Sequence, residues 1–191
     1  MMLAFAEIRR TRGRFLSIIG ALSLITFLVL TLTALSDGLF YGSTGAYRSS
    51  NAQAYAFSTD AEGSLIRSRV PVSDVAAYQN VEGVTQASGI GVLLASGTGP
   101  EGELDLAVFG VEPEGAGVPT TLDQGRMPTP GEDGAAAVDQ TVADRGAGIG
   151  STITVGDRSV SVVGITKDSS YQLQPTIWTT IPTWRAMQAS V

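Results

Sequence analysis

Polar positions vanish from the chain early and completely: residues 15–35, FLSIIGALSLITFLVLTLTAL, form an uncharged apolar run of 21 positions. A helix rises about 1.5 Å per residue, so a run of this length crosses the ~30 Å hydrocarbon layer of a bilayer. Ahead of it stand Arg9, Arg10, Arg12 and Arg14. Lys/Arg clusters beside a span stay cytoplasmic, which predicts the N-terminus inside and the remaining chain outside. Leu39, Phe40 and Tyr41 then fall where an aromatic belt meets the outer interface, and the helix is expected to continue some turns outward, weakened by Gly38, Gly42 and Gly45.

Beyond residue 50 the pattern changes to short alternating runs punctuated by Gly and Pro, the signature of mixed strand and helix. Residues 53–58 (QAYAFS) read as a first strand, and Pro71-Val72-Ser73-Asp74 as a helix start. Residues 84–96 read as a strand bent at Gly89 and Gly91, residues 97–100 as a turn and residues 104–111 as the next strand. The Pro-, Gly- and acid-rich residues 112–134 read as surface loop. Then follow a strand, a short helix capped by Asp139 and closed by Gly146, a Gly156-Asp157 hairpin, a strand over residues 176–180 and a helix opened by Pro182.

The predicted fold class is therefore α+β, with one N-terminal transmembrane helix followed by a mixed α/β extracytoplasmic domain. The expected divisions are a basic interfacial leader over residues 1–14, the transmembrane helix over 15–35, a stalk over 36–50, a core domain over 51–181, and over 182–191 the start of a helix returning to the membrane. Phe5 and Ile8 make the leader weakly amphipathic, suited to an inner membrane surface or simply to a solvated stop. A long secretory signal cleaved after Ser36 is the rival reading of residues 1–36, but signal apolar regions span ~7–15 residues. The Arg9-Arg10 pair does not complete a twin-arginine signal, because Arg12 occupies a position that motif fills with an apolar residue.

Charge divides the chain the same way. Four arginines against Glu7 give residues 1–14 a charge of +3, while eight basic and 17 acidic residues leave residues 15–191 at −9. Such an outer domain is no nucleic-acid binder, whereas the leader suits lipid headgroups. The chain has no Cys and no His. Disulfides, Cys-His or Ser-His-Asp catalysis and the usual transition-metal ligands are thereby excluded for this chain alone, no metal or cofactor is expected, and it does not read as an enzyme.

Gly13, Ser17 and Ala21 recur at intervals of four and could let a second helix approach closely, although small residues are common in membrane helices anyway. Gly89-Ile90-Gly91 and Gly97-Thr98-Gly99 match no phosphate-binding pattern and read as turns or bulges. Glu101, Glu103 and Asp105 alternate along one strand face and read as solvated, since no calcium-loop spacing surrounds them. Tyr171, Trp178 and Trp184 fit either a membrane boundary or a core. Ser169, Ser170 and Tyr171 carry hydroxyls with no visible base.

The leader EIRRTRGRFL, one span, and an outer domain containing GVEPEG, LDQGRMPTPGEDGAAAVDQTVADRGAGIGSTITVGDRSVSVVGI and SSYQLQPTIW together resemble the permeases of ABC transporters in the macrolide-exporter and lipoprotein-release (FtsX-like, MacB-type) family, over essentially the whole chain. Within it the haem-exporter and DevC-like branch is most similar, through the compact outer domain and residues 171–178. The resemblance implies the N-terminal part of a permease, with three further helices expected beyond it. It also implies ATP hydrolysis in a separate ABC ATPase subunit and a second permease copy paired near the first helix, so that Gly13, Ser17 and Ala21 could serve that contact. Haem, lipid, peptide or drug remains open as substrate; with haem, Tyr41 or Asp37 are among the candidate ligands. A single-pass anchored binding or sensor domain acting without ATP is the alternative.

Overall fold

The computed structural model describes residues 11–191; Arg9, Arg10 and the rest of the leader lie outside the described residues. The chain divides into two compact units, one ending at Phe40 and one spanning Tyr41–Val191. The second unit therefore starts inside the stretch expected as a stalk.

The first unit is the apolar part of helix α1 (Arg12–Arg48), 37 residues long. Its large side chains face outward: Leu16, Leu24 and Phe27 are about two-thirds exposed, at 67%, 65% and 67%. The polar atoms inside the run are satisfied locally, Thr31 Oγ1 donating to Phe27 O (2.8 Å) and Thr33 Oγ1 to Val29 O (2.9 Å). A helix that exposes leucines and closes its own hydrogen bonds is suited to hydrocarbon.

The second unit is built on seven strands: β1 (Ile90–Gly99), β2 (Gly102–Val111), β3 (Leu122–Gly125), β4 (Ala135–Asp139), β5 (Thr152–Val155), β6 (Arg158–Thr166) and β7 (Thr176–Thr180). They are ordered β3-β6-β4-β7-β2-β1-β5, and β5 pairs back onto β6, so six strands close into a ring while β3 continues along the β6 edge. Parallel pairing joins β2 to β7 and β4 to β6, and the other neighbours are antiparallel. Closure removes the exposed edges that a short-stranded sheet would otherwise present.

Side chains turned into the ring, among them Leu106, Val108, Val138, Ile153, Val160, Val162 and Ile177, make one core. The opposite face of β2, β4 and β7 presents Ala107, Phe109, Val111, Ala137 and Trp178 to a second core that includes Ala46 and Leu65. Burial on both faces explains why LAVFGV and AAAV read as apolar runs with no alternation. Fully burying a side chain of this size stabilises the fold by roughly 1.5–3 kcal/mol.

Three short helices complete the unit: α2 (Val72–Gln79), α3 (Gln140–Ala143) and α4 (Ile181–Gln188). Helix α4 starts as expected, with Pro182 in its first turn and Thr180 Oγ1 accepting from Thr183 N. Its Trp184 lies across Gly91 and Gly110, where an added Cβ would meet the indole at 2.5 Å at Gly91 and Trp184 Cβ at 2.5 Å at Gly110. Gly91 is thus a packing site within a regular register, where a bend or bulge was expected.

Other expectations also change. Residues 53–58 are irregular: their aromatics Tyr55 and Phe57 pack against the second core and their backbone joins no ladder. Strand β1 begins at Ile90, six residues later than read, and residues 112–134 contain β3 as well as the buried Val118. Strand β7 and the Gly156-Asp157 turn stand where they were expected. Tyr171 and Trp178, with no exposed surface, are core residues.

Candidate functional site

The most organised feature of the outer unit is the set of contacts that holds the C-terminal turns of α1. Gly42 and Gly45, expected to weaken the helix, are the reason the contact is possible. A Cβ at Gly45 would lie 2.7 Å from Asp168 O and 2.8 Å from Ser170 O, and one at Gly42 would lie 2.6 Å from Leu173 Cδ2. Without side chains there, the loop after β6 hydrogen-bonds the helix backbone: Ala46 N donates to Ser170 O (2.8 Å), Gln172 N to Ser43 O (3.1 Å) and Leu173 N to Gly42 O (3.1 Å). Ser170 Oγ also donates to Gly42 O (3.1 Å).

The end of the helix is closed from the other direction. Ser49 O accepts from both Thr120 N (2.7 Å) and Thr120 Oγ1 (2.9 Å), satisfying a carbonyl that a helix terminus leaves free. Asn51 then brackets the loop before β3, its Oδ1 accepting from Gly117 N (2.7 Å) and Val118 N (3.1 Å) while its Nδ2 donates to Gly115 O (3.1 Å).

Behind this clasp sits a buried carboxylate. Asp139, 2% exposed at the end of β4, caps α3 by accepting from Thr141 N (3.0 Å) and Thr141 Oγ1 (2.8 Å). Its second oxygen accepts from Ser169 N (2.9 Å) and Ser169 Oγ (2.8 Å). The residue after Ser169 is the one that holds Ala46, so two adjacent loop residues link Asp139 to the helix end. Ser169 beside Asp139 superficially resembles a nucleophile and its base, but both are buried and both are committed to this network.

An aromatic column runs alongside. Ring centroids are 5.2 Å apart for Tyr55 and Tyr47, 5.8 Å for Tyr47 and Tyr171, 5.3 Å for Tyr171 and Phe109, and 4.4 Å for Phe109 and Trp178. Such pairs contribute about 0.5–1.5 kcal/mol each beyond area burial. Burial pushes the Tyr47 and Tyr55 phenols above their ordinary value, with a hydrogen bond to Tyr171 adding to the effect at Tyr47. At the rim, Lys167 pairs with Asp123 (2.5 Å), and its hydrogen bond holds that carboxyl below its ordinary value. Arg126 grips Glu132 through two 2.6 Å bonds. That grip, helped by Thr129 N and Oγ1, brings Glu132 down to about 2.

The loop that forms the clasp is itself strained. Tyr171–Gln174 is a two-residue hairpin turn, Gln174 N donating to Tyr171 O (2.8 Å), with φ of +51° at Gln172 and +64° at Leu173. Turns of this kind normally take Asn-Gly, because a left-handed backbone costs other residues about 1–2 kcal/mol.

The residues singled out in the sequence divide as follows. Arg12 and Arg14 stand at the start of α1, and Gly13, Ser17 and Ala21 share an exposed stripe that no described residue of the chain covers; Gly13 has open space around it and Ser17 Oγ turns back to Arg14 O (2.9 Å). Glu103 and Asp105 lie exposed on β2 with Glu101 in the turn before it, Asp105 accepting from Ser96 Oγ (3.0 Å). Among the described residues no group of three acidic, His or Cys side chains could hold a metal. Sequence reasoning missed the roles of Gly42, Gly45, Asn51 and Ser169; the Gly-x-x-Gly spacing was a usable signal for the first two.

The profile of the MacB-like periplasmic core domain matches residues 15–191. The chain belongs to this family. Among solved structures it is similar to the extracellular domain of the noncanonic ABC-type transporter YknZ from Gram-positive bacteria, at 17% identity over 71% of this chain and 74% of that one, with a TM-score of 0.53. The periplasmic region of MacB from Actinobacillus actinomycetemcomitans also matches, at 13% identity over 66% of this chain and 62% of that one, TM-score 0.47. No curated protein matches the chain. As a MacB-like domain joined to an apolar helix, the protein is a membrane-anchored transporter component with an extracytoplasmic domain of mixed α/β fold.

Proposed function

We propose that this chain is the N-terminal part of the permease subunit of an ATP-driven exporter, whose outer domain converts motion of a separate ABC ATPase into expulsion or extraction of a substrate. The observation that carries this reading is the continuity of α1: one helix contains the apolar run and also the turns clasped by loop 167–174. A helix whose last turns are fastened through main-chain bonds, with a buried carboxylate behind them, offers the outer domain a covalent path for displacement. The MacB-like family supports the same reading.

In this proposal Arg9, Arg10, Arg12 and Arg14 keep the N-terminus cytoplasmic. Gly13, Ser17 and Ala21 face a second permease copy. The haem-exporter and DevC-like branch is the subgroup proposed, with no ligand-binding residues assigned. Functional divisions at residues 14, 35, 50 and 181 belong to the proposal as well.

The test is to read the locus on both sides of this coding sequence and reconstitute the resulting permease with the adjacent ATPase. Three more apolar runs of about 20 residues and permease-stimulated ATP hydrolysis are expected. Gly45→Val is expected to abolish transport while ATP hydrolysis persists. A stop directly after Val191 with no ATPase gene nearby would sink the reading in favour of an anchored domain that acts without ATP.

A further inference from the structure

We propose that residues 90–96 of β1 are an interaction edge at which the outer domains of two copies of this chain join, β1 pairing antiparallel with β1 across a two-fold axis. This edge is separate from the helix contact proposed for Gly13, Ser17 and Ala21 and adds a second meeting point, in the outer domain.

Closure of the ring is partial at β1. The strand pairs with β2 along its whole length, from Ile90 opposite Val111 to Gly99 opposite Gly102, but with β5 only at Gly97 and Thr98. In an antiparallel ladder alternate residues turn both N–H and C=O away from the partner strand. Among the described residues, no ladder and no loop backbone bonds to those outward groups of residues 90–96. Burial marks the same gap. Leu106 and Val108 of β2, turned into the ring, are 1% and 0% exposed, whereas Ala95 and Leu93 opposite them are only partly buried. Helix α4 seats Trp184 on Gly91 without completing their burial. On the other face of the strand Leu94 is 44% exposed.

Folds blunt a free edge by brevity, a bulge, charge or proline. Strand β3 shows the first three: it has four residues, its register shifts between Leu122 and Gln124, and Asp123 pairs with Lys167. Strand β1 shows none of the four. Its register with β2 is unbroken, and IGVLLAS contains neither a charge nor a proline.

Charge decides the occupant. Residues 15–191 carry −9, so two copies repel wherever their acidic residues face each other, and a basic partner would be drawn to those residues instead. No Asp, Glu, Lys or Arg occurs from Gly83 to Pro100, the longest such stretch after the apolar run. Two acidic domains can therefore approach along β1 without repulsion at the contact. A two-fold interface also needs a surface that complements itself. An uncharged antiparallel edge does so: the outward N–H and C=O groups of each copy meet those of the other, and Val92 and Leu94 gain apolar cross-strand neighbours.

The test uses the full chain in detergent, whose lack of native cysteine allows single labelled sites. Leu94→Cys and, on the β3 edge, Gln124→Cys are treated with a short bis-maleimide. Cross-linked dimer is expected to be at least about fivefold more abundant at 94 than at 124, and Leu94→Lys, which brings like charges together, is expected to raise the dimer dissociation constant about tenfold in sedimentation. In the unaltered chain, amide exchange is expected to slow at alternate residues of 90–96 as protein concentration rises, a readout that no folding defect of a variant can disturb. Equal cross-linking at 94 and 124, or a dimer in which 90–96 exchanges as fast as in the monomer, would overturn the edge and leave the helix contact standing. A chain that stays monomeric at every concentration would overturn both.

Discussion

The clasp and the segment 70–86 are both short pieces of chain around helical turns, yet they behave oppositely. Around α1 the contacts are close, the polar groups are paired across the unit and glycine replaces any side chain that would intrude. Along α2 no residue is buried, Val72, Tyr78, Val81 and Val84 stand exposed, and Pro71 caps the helix without a side-chain hydrogen bond. Helix α4 shows that length is not the reason: also eight residues long and opened by Pro, it buries Thr183 and Met187 and seats Trp184 on two glycines. Gly91 and Gly110 opposite α4 make room for Trp184, and no glycine has a residue of α2 among its nearest neighbours.

The sharpest way to break this contrast is to remove the carboxylate behind the clasp. Asp139→Ala deletes a helix cap and leaves the buried Ser169 amide without its acceptor, an expected loss of about 3 kcal/mol in a denaturant titration followed by tryptophan fluorescence. Gly45→Ala forces a methyl group against Asp168 O and Ser170 O and should cost about 2 kcal/mol, with faster hydrogen exchange at the Ala46 amide as its local signature. Gly110→Ala, which meets Trp184, should cost about 1–3 kcal/mol and shift the near-ultraviolet dichroism of the indole.

Smaller effects separate surface from core. Glu132 is held at about 2, below its unfolded value, so it adds stability that is complete above the unfolded value and fades as pH falls toward 2. Glu132→Gln should therefore flatten the acid limb of a pH-dependent melt in that window, with a small loss of stability at neutral pH, this ion pair being solvent-exposed, and no difference below about pH 2. On α2, Val72→Ser and Tyr78→Ser are expected to change stability by less than about 0.5 kcal/mol; a larger loss would show that the segment packs after all and would erase the comparison.

Much of the fold was legible because local chemistry wrote it. The span, the Asp139 cap, the Gly156-Asp157 hairpin, strand β7 and the Pro182 helix start all follow from patterns within a few residues. The family resemblance was legible for the same reason, since its motifs are those turns and caps in order. Residues 53–58 misled because an aromatic alternation looks the same whether its backbone pairs in a sheet or lies across one.

The sequence by itself determined that an uncharged 21-residue run is long and apolar enough to cross a membrane and that an acidic, Cys- and His-free domain follows it, because hydropathy, charge and turn chemistry act over short distances. Only the tertiary structure decided that β5 closes the ring onto β6, that Gly42 and Gly45 admit a loop more than 120 residues away, and that Asp139 holds Ser169 as well as its own helix. Those outcomes depend on which backbones come within hydrogen-bonding distance, and residue patterns along a chain do not encode distance across a fold.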